Sequence, residues 1–164
     1  MAVTTEKSTE YTNVTATPIT SNNTTEEHGR IRVAFFTHAQ SGAGDATSSV
    51  ALCKLPPGRV RLLASLSRAY VNWTTSSATL DLGWDAHTNL SGVAVAADPD
   101  GLINGLNVDT VGFQTLEGAI AANLLTGGTY VFESKDGVVI RATSQDTAIA
   151  SGDDVVGYLA YVLD

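Results

Sequence analysis

Seven short runs rich in β-branched and aromatic residues follow one another along most of the chain: RIRVAFFT, SVALCKL, RVRLLASLSRAYVNW, ATLDLGW, TYVFES, VVIRAT and DVVGYLAYVL. Clusters of Gly, Pro, Asn, Asp and Ser separate them, and such a succession predicts an all-β, antiparallel sandwich or barrel. The runs begin at Arg30, so residues 30–164 form the expected domain.

Within the runs, alternation assigns faces. Val60, Leu62, Ala64 and Leu66 share one side of RVRLLASL while Arg59 and Arg61 take the other, as in a strand with one wet face. In ATLDLGW the inward set is Leu80, Leu82 and Trp84, with Thr79 and Asp81 opposite. Lys135-Asp136-Gly137, between TYVFES and VVIRAT, has the chemistry of a tight hairpin. Pro56, Pro57 and Gly58 stop one strand and turn the chain into the next, because neither proline can donate to a ladder. Two segments read differently. Asp98-Pro99-Asp100-Gly101-Leu102-Ile103 has an N-cap acid followed by proline, which predicts a short helical turn. Thr115 to Leu125 has helix-like spacing at Leu116, Ile120 and Leu124, and its class stays open. The last run is apolar on both sides: Val155, Gly157, Leu159, Tyr161 and Leu163 on one, Val156, Tyr158, Ala160 and Val162 on the other. Either a loop or helix covers the second side or a neighbouring subunit does, which makes Val156, Tyr158, Ala160 and Val162 candidates for self-association.

Residues 1–29 are mostly Thr, Ser, Asn and Glu with few large apolar groups, too few to offset the entropy of folding alone. The segment reads as an extended polar arm or as a disordered tail. Tyr11, Val14, Pro18 and Ile19 are scattered anchors that could dock on a partner.

Chemistry is sparse. The net charge of −8 opposes binding to phosphate backbones, so nucleic acid is not an expected partner. No apolar stretch reaches membrane-spanning length and the first residues lack a signal-peptide pattern, so neither a membrane nor a secretory route is expected. Cys53, the single cysteine, can form no internal disulfide or cysteine cage and reads as a buried thiol. His28, His38 and His87 are isolated, and the Ser41, Asp45 and Ser48 near His38 lack the elbow that presents a nucleophile. Asp98, Asp100, Asn104 and Asp109 are oxygen-rich, but Leu102 stands where a calcium loop needs a ligand and no glutamate closes it. No catalytic residue, metal or cofactor is therefore expected. Tyr70, Trp73 and Trp84 could form a sugar platform; Trp84 reads as core, whereas Trp73, beside a polar loop, is the better candidate for exposure.

The order of the pieces resembles a group of tailed-bacteriophage head-associated proteins of the capsid decoration or cement type. EYTNVTATP leads into EEHGRIRVAFFTHAQSGAGDA, then VALCKLPPGRVRLLASLSR, TLDLGWDAHTNLSG, VAVAADPDGL, TYVFESKDGVVIRAT and SGDDVVGYLAYVLD. The similarity covers nearly the whole chain, but its motifs are turns and strands. It implies a jelly-roll or related sandwich, assembled as a dimer or trimer on the outside of a virion made in the bacterial cytoplasm, with the major capsid protein as partner. On that reading the arm anchors with Arg30 and Arg32 are candidate capsid contacts. The alternative expectation is a receptor- or carbohydrate-binding module on a tail or fibre, carried by Trp73 and Tyr70.

Overall fold

The computed structural model describes residues 15–20, 30–116 and 130–163. Its strands are β1 (Ile31–Ala39), β2 (Ser49–Leu55), β3 (Gly58–Leu62), β4 (Arg68–Asn72), β5 (Thr79–Trp84), β6 (His87–Thr88), β7 (Ala94–Val95), β8 (Asp98–Asn107), β9 (Gly112–Thr115), β10 (Tyr130–Ser134), β11 (Val138–Ser144) and β12 (Asp154–Leu163). All pairings between them are antiparallel.

Two sheets face each other across a continuous apolar core. In the first, β12 lies between β1 on one side and β3 and β4 on the other. β3 pairs with the end of β12 and β4 with its beginning, so the two are halves of one broken strand. Beyond them lie β10, on β3, and β9, on β4. The second sheet runs β2-β11-β5-β8, and β6 and β7 form a small separate hairpin. Counting β3 with β4 and β9 with β10, first pairs last, second pairs penultimate, third pairs sixth and fourth pairs fifth. That rolled-up nesting is a jelly roll.

The break between β3 and β4 is a 3-10 turn, Ala64–Leu66, and it corrects the single long strand read from RVRLLASLSRAYVNW. Val60, Leu62 and Ala64 are in the core as expected, but the turn swings Leu66 outward to 47% exposure. Ser67, fully buried, repairs the interrupted ladder: its hydroxyl donates to the Leu63 carbonyl and accepts from the Ala160 N–H at 3.0 Å each.

The hairpin expected at Lys135-Asp136-Gly137 is also corrected. β10 belongs to the first sheet and β11 to the second, so this turn is a corner between layers. The buried Ser134 hydroxyl donates to the Gly137 carbonyl and accepts from the Asp136 N–H, holding the corner. Pro56-Pro57 makes the matching corner from β2 to β3, and the two pack together: a Cβ on Gly137 would stand 2.3 Å from the Leu55 carbonyl oxygen. The helical turn expected at Asp98 is instead the start of β8. β8 is the edge strand of its sheet, where a proline is tolerated, and its register with β5 shifts between Leu80, Leu82 and Trp84 to absorb the extra residues. Of the segment left open, Thr115 ends β9, while residues 117–129 lie outside the described residues.

Trp84, Phe132 and Tyr130 fill one end of the sandwich, with Trp84 edge-on to Phe132 at 5.3 Å and tilted against Tyr130 at 4.8 Å between centroids. At the other end Asp153, 2% exposed, ties two loops together. One carboxylate oxygen accepts from the N–H and hydroxyl of Thr74, the other from the Ala150 N–H.

Candidate interaction surface

Strand alternation puts large apolar side chains on the outside of the first sheet as well as the inside. In β1, Phe36 is buried and Ala34 packs on the core, so Ile31, Val33 and Phe35 point outward, at 59%, 45% and 73% exposure. In β4, Ala69 and Val71 face inward and Tyr70 outward; in β9, Phe113 is 82% exposed. In β12, Val155, Leu159 and Tyr161 enter the core as expected, leaving Val156 and Tyr158 on the outer side.

Register gathers these residues into a band across the sheet. Phe35 stands opposite Tyr158, Val156 opposite Tyr70, and Tyr70 opposite Phe113. Phe35 and Tyr158 meet edge-to-face at 5.8 Å, and Tyr70 and Phe113 do so at 5.4 Å. Between the two pairs runs an open groove of about 240 Å³, floored by Val156 and Gly157 and bordered by Arg68. Gly157 is required there, because a Cβ would approach the Arg68 carbonyl oxygen to 2.2 Å. The Arg68 guanidinium donates to the carbonyls of Ser65 and Ser67 at 3.0 and 3.1 Å, which fixes it at the rim.

The residues singled out from sequence are distributed as follows. Val156 and Tyr158 lie in the band, whereas Ala160 and Val162, on the same side of β12, are buried. Arg30 and Arg32 are exposed at the start of β1, and Pro18 and Ile19 are exposed. Tyr11 and Val14 lie outside the described residues. Trp73 corrects the sugar-platform expectation: it is 3% exposed and sits in the core, on the opposite side of its segment from Tyr70. Its alternation with Ala69 and Val71 carried that signal, and proximity to a polar loop masked it. Sequence reading missed Phe35 and Phe113 altogether. The two-sided apolar pattern of β1 could have found the first; Phe113 stands in a four-residue strand too short to alternate visibly.

Polar and reactive groups elsewhere are tied up locally. His38 shares a 3.1 Å hydrogen bond with Gln40, and His87 one of 3.2 Å with the Asp85 carbonyl. His87 also lines a depression of about 260 Å³ with Tyr130 and Phe132. Burial pushes the half-buried Cys53 thiol up to about 11, which keeps it protonated and unreactive. At the start of β8, burial and then the neighbouring Asp100 raise the Asp98 carboxyl, and Asn104 donates to Asp100 at 2.6 Å. Among the described residues no group of three or more His, Cys, Asp and Glu side chains is arranged to hold a metal, and no helix is long and apolar enough to cross a membrane.

No family model and no curated protein matches this sequence. Among solved structures, the chain is similar to a chain of the cyanophage Pam1 capsid asymmetric unit, with a TM-score of 0.52 and 15% identity over 83% of this chain and 86% of that one. It is also similar to part of a chain of infectious bursal disease virus, Gx strain, with a TM-score of 0.48 and 10% identity over 84% of this chain and 33% of that one. The first of these likenesses shows the fold alone, a jelly roll shared with a chain of the cyanophage capsid.

Proposed function

We propose that this chain is a non-enzymatic structural protein of a tailed bacteriophage that binds the outside of the capsid as a decoration or cement subunit and stabilises the shell. One observation carries the reading. The fold matches a chain of a cyanophage capsid over 83% of this chain and 86% of that one, so the jelly roll makes up most of each. The outer band gives that domain a reason to assemble, since exposed apolar patches of this size mark interaction surfaces.

The partner on this reading is the major capsid protein. The arm over residues 1–29, with Tyr11, Val14, Pro18 and Ile19, contacts it together with Arg30 and Arg32, while the β domain presents the arms as a small homo-oligomer. Several weak contacts offered together give avidity that no single contact supplies. The glycan-binding alternative needed Trp73 exposed beside Tyr70; Tyr70 faces outward, but Trp73 is in the core, so that platform is not formed.

The test is co-sedimentation of the purified protein with expanded capsids that lack it, at physiological salt. Saturable binding at a fixed ratio to the shell subunit, weakened by deletion of residues 1–29 while the β domain stays folded, is the expected result. Failure of the intact, folded protein to bind any shell ends the reading.

A further inference from the structure

Trp84 and Asp98 stand opposite each other where β5 ends and β8 begins, so a tight turn between them would suffice. The chain instead sends residues 85–97 out as the β6–β7 hairpin and lays it beside β10 of the first sheet. A two-stranded hairpin this short has little stability of its own. It is held from outside at three points: the Lys135 N–H donates to the Thr88 carbonyl at 3.0 Å, the Asp85 N–H to that of Val139 at 3.0 Å, and the Trp84 indole to that of Ala96 at 3.3 Å. The hairpin is thus a preformed wall, and between it and β10 lies the depression of about 260 Å³.

The groups lining that depression have hydrogen-bonding capacity left over. A carbonyl only accepts, so the His87 Nδ1 bonded to the Asp85 carbonyl carries the proton, and the neutral ring offers Nε2 as an acceptor. Asn89 accepts from the Val93 N–H through Oδ1 at 2.8 Å, which leaves its NH2 to donate. β10 is an edge strand, and Lys135, just past its end, aims its N–H outward to Thr88. By strand alternation Val131 and Glu133 aim their N–H and C=O the same way, and among the described residues no other strand pairs with that edge.

We propose that this depression binds a single neutral sugar ring, a hexopyranose. Sugar hydroxyls both donate and accept, which matches a site that offers His87 Nε2 and backbone carbonyls as acceptors beside the Asn89 amide and backbone N–H groups as donors. The C–H face of the sugar packs on the half-buried Tyr130, with Val95 contributing an apolar contact from the hairpin. Charge and shape disfavour other ligands. Glu133, the acid of the lining, is matched by Arg59 at 3.7 Å, so no unbalanced charge calls for an ion. Tyr130 and Phe132 are tilted by 48° at 4.6 Å and Phe132 is 3% exposed, so the two rings make no parallel slot for a planar aromatic. An extended peptide would find two outward residues before β6 blocks the edge at Lys135. The volume lies below the roughly 300–1,000 Å³ of pockets for drug-sized ligands, which suits one ring and not an oligomer. The site is separate from the Trp73 and Tyr70 platform and does not depend on shell binding.

The test is titration of the isotope-labelled full chain with glucose, galactose, mannose and N-acetylglucosamine, each to about 50 mM, followed by nuclear magnetic resonance. Saturable shifts of the Val131 and Glu133 backbone amides and of the Asn89 side-chain amide, with a millimolar Kd for at least one sugar, are expected. Asn89→Asp keeps the acceptor for Val93 and removes the donor, and His87→Phe keeps a ring beside Phe132 and removes the acceptor. Each should weaken binding about tenfold while the rest of the spectrum stays that of the folded domain, and Phe113→Ser, on the outer face of the first sheet, should leave binding unchanged. No saturable shift with any of the four sugars, or affinity unchanged in both site variants, overturns the inference. Shifts of the same amides with a short valine–threonine peptide and with no sugar also overturn it, and make the edge of β10 a strand acceptor.

Discussion

The outer faces of the two sheets are built from the same pleat and end in opposite states. On the second sheet, polar side chains close on one another: Arg141 grips Asp85 through two hydrogen bonds of 2.6 and 2.7 Å and reaches Ser49, Thr79 donates to Asp146, and Asp81 accepts from the Gly105 N–H. On the first sheet, across the band, the outward positions are exposed rings that pair with each other around a groove. Among the described residues, one face is held by polar contacts and the other leaves its rings exposed. The difference lies wholly in which residues occupy the outward parity, because both sheets fill the same core with the other parity.

The sharpest way to break this comparison is to cut the same kind of side chain on each side of the first sheet. Phe132, inward and 3% exposed, sits against Trp84, and Phe132→Ala should cost about 3–5 kcal/mol in chemical denaturation. Phe113→Ala on the outer face should leave monomer stability within about 0.5 kcal/mol. Equal losses would mean that the band is packed within the monomer after all. The next effect belongs to the end of the sandwich that both sheets share. Asp153→Ala removes the acceptor for three donors while their surroundings stay closed, and a loss of about 2–3 kcal/mol is expected by the same measurement. Ser67→Ala should cost about 1–2 kcal/mol, because the buried Ala160 N–H then has no acceptor at the break between β3 and β4. A neutral Ser67→Ala would show that the broken strand needs no repair.

What was legible in the sequence follows the range of the interactions involved. The all-β class, the inward sets Leu80, Leu82 and Trp84 or Val60 and Leu62, and the two-faced β12 were readable because alternation is a local property of a strand. The corner at Lys135-Asp136-Gly137 was misread as a hairpin because glycine and aspartate satisfy a tight turn in either case. Which sheet receives the next strand is decided by pairing with β2 and β5, some 60 to 90 residues away in register partners such as Leu82 and Val50. Asp98-Pro99 failed for a related reason: the dipeptide suits a helix start and a bulged edge strand equally, and only the ladder with β5 selects the second. The band was half legible. Tyr158 and Val156 stood out from β12 alone, but Tyr70 and Phe113 join them only through registers that no local pattern carries.

The smallest expected effect sharpens the claim that the second face is held by polar contacts. Hydrogen bonding from Arg141 holds the Asp85 carboxyl below its ordinary range, with burial opposing, and Asp85 in turn raises the guanidinium. A carboxylate depressed in the folded state stabilises fully above its unfolded value, near pH 4, and loses that contribution as pH falls through the lower folded value. Asp81 runs the other way: burial and the nearby Asp100 and Asp146 raise it, so protonation as pH falls favours the folded state. The pair is about one third exposed, and solvent screening keeps Arg141→Ala to about 1 kcal/mol or less at neutral pH. The expected signature is therefore a difference in melting between wild type and Asp85→Asn that is present at pH 7 and shrinks below pH 4. A difference constant across that range would mean the ion pair contributes nothing beyond its hydrogen bonds, and the second face would then be held by neutral contacts alone.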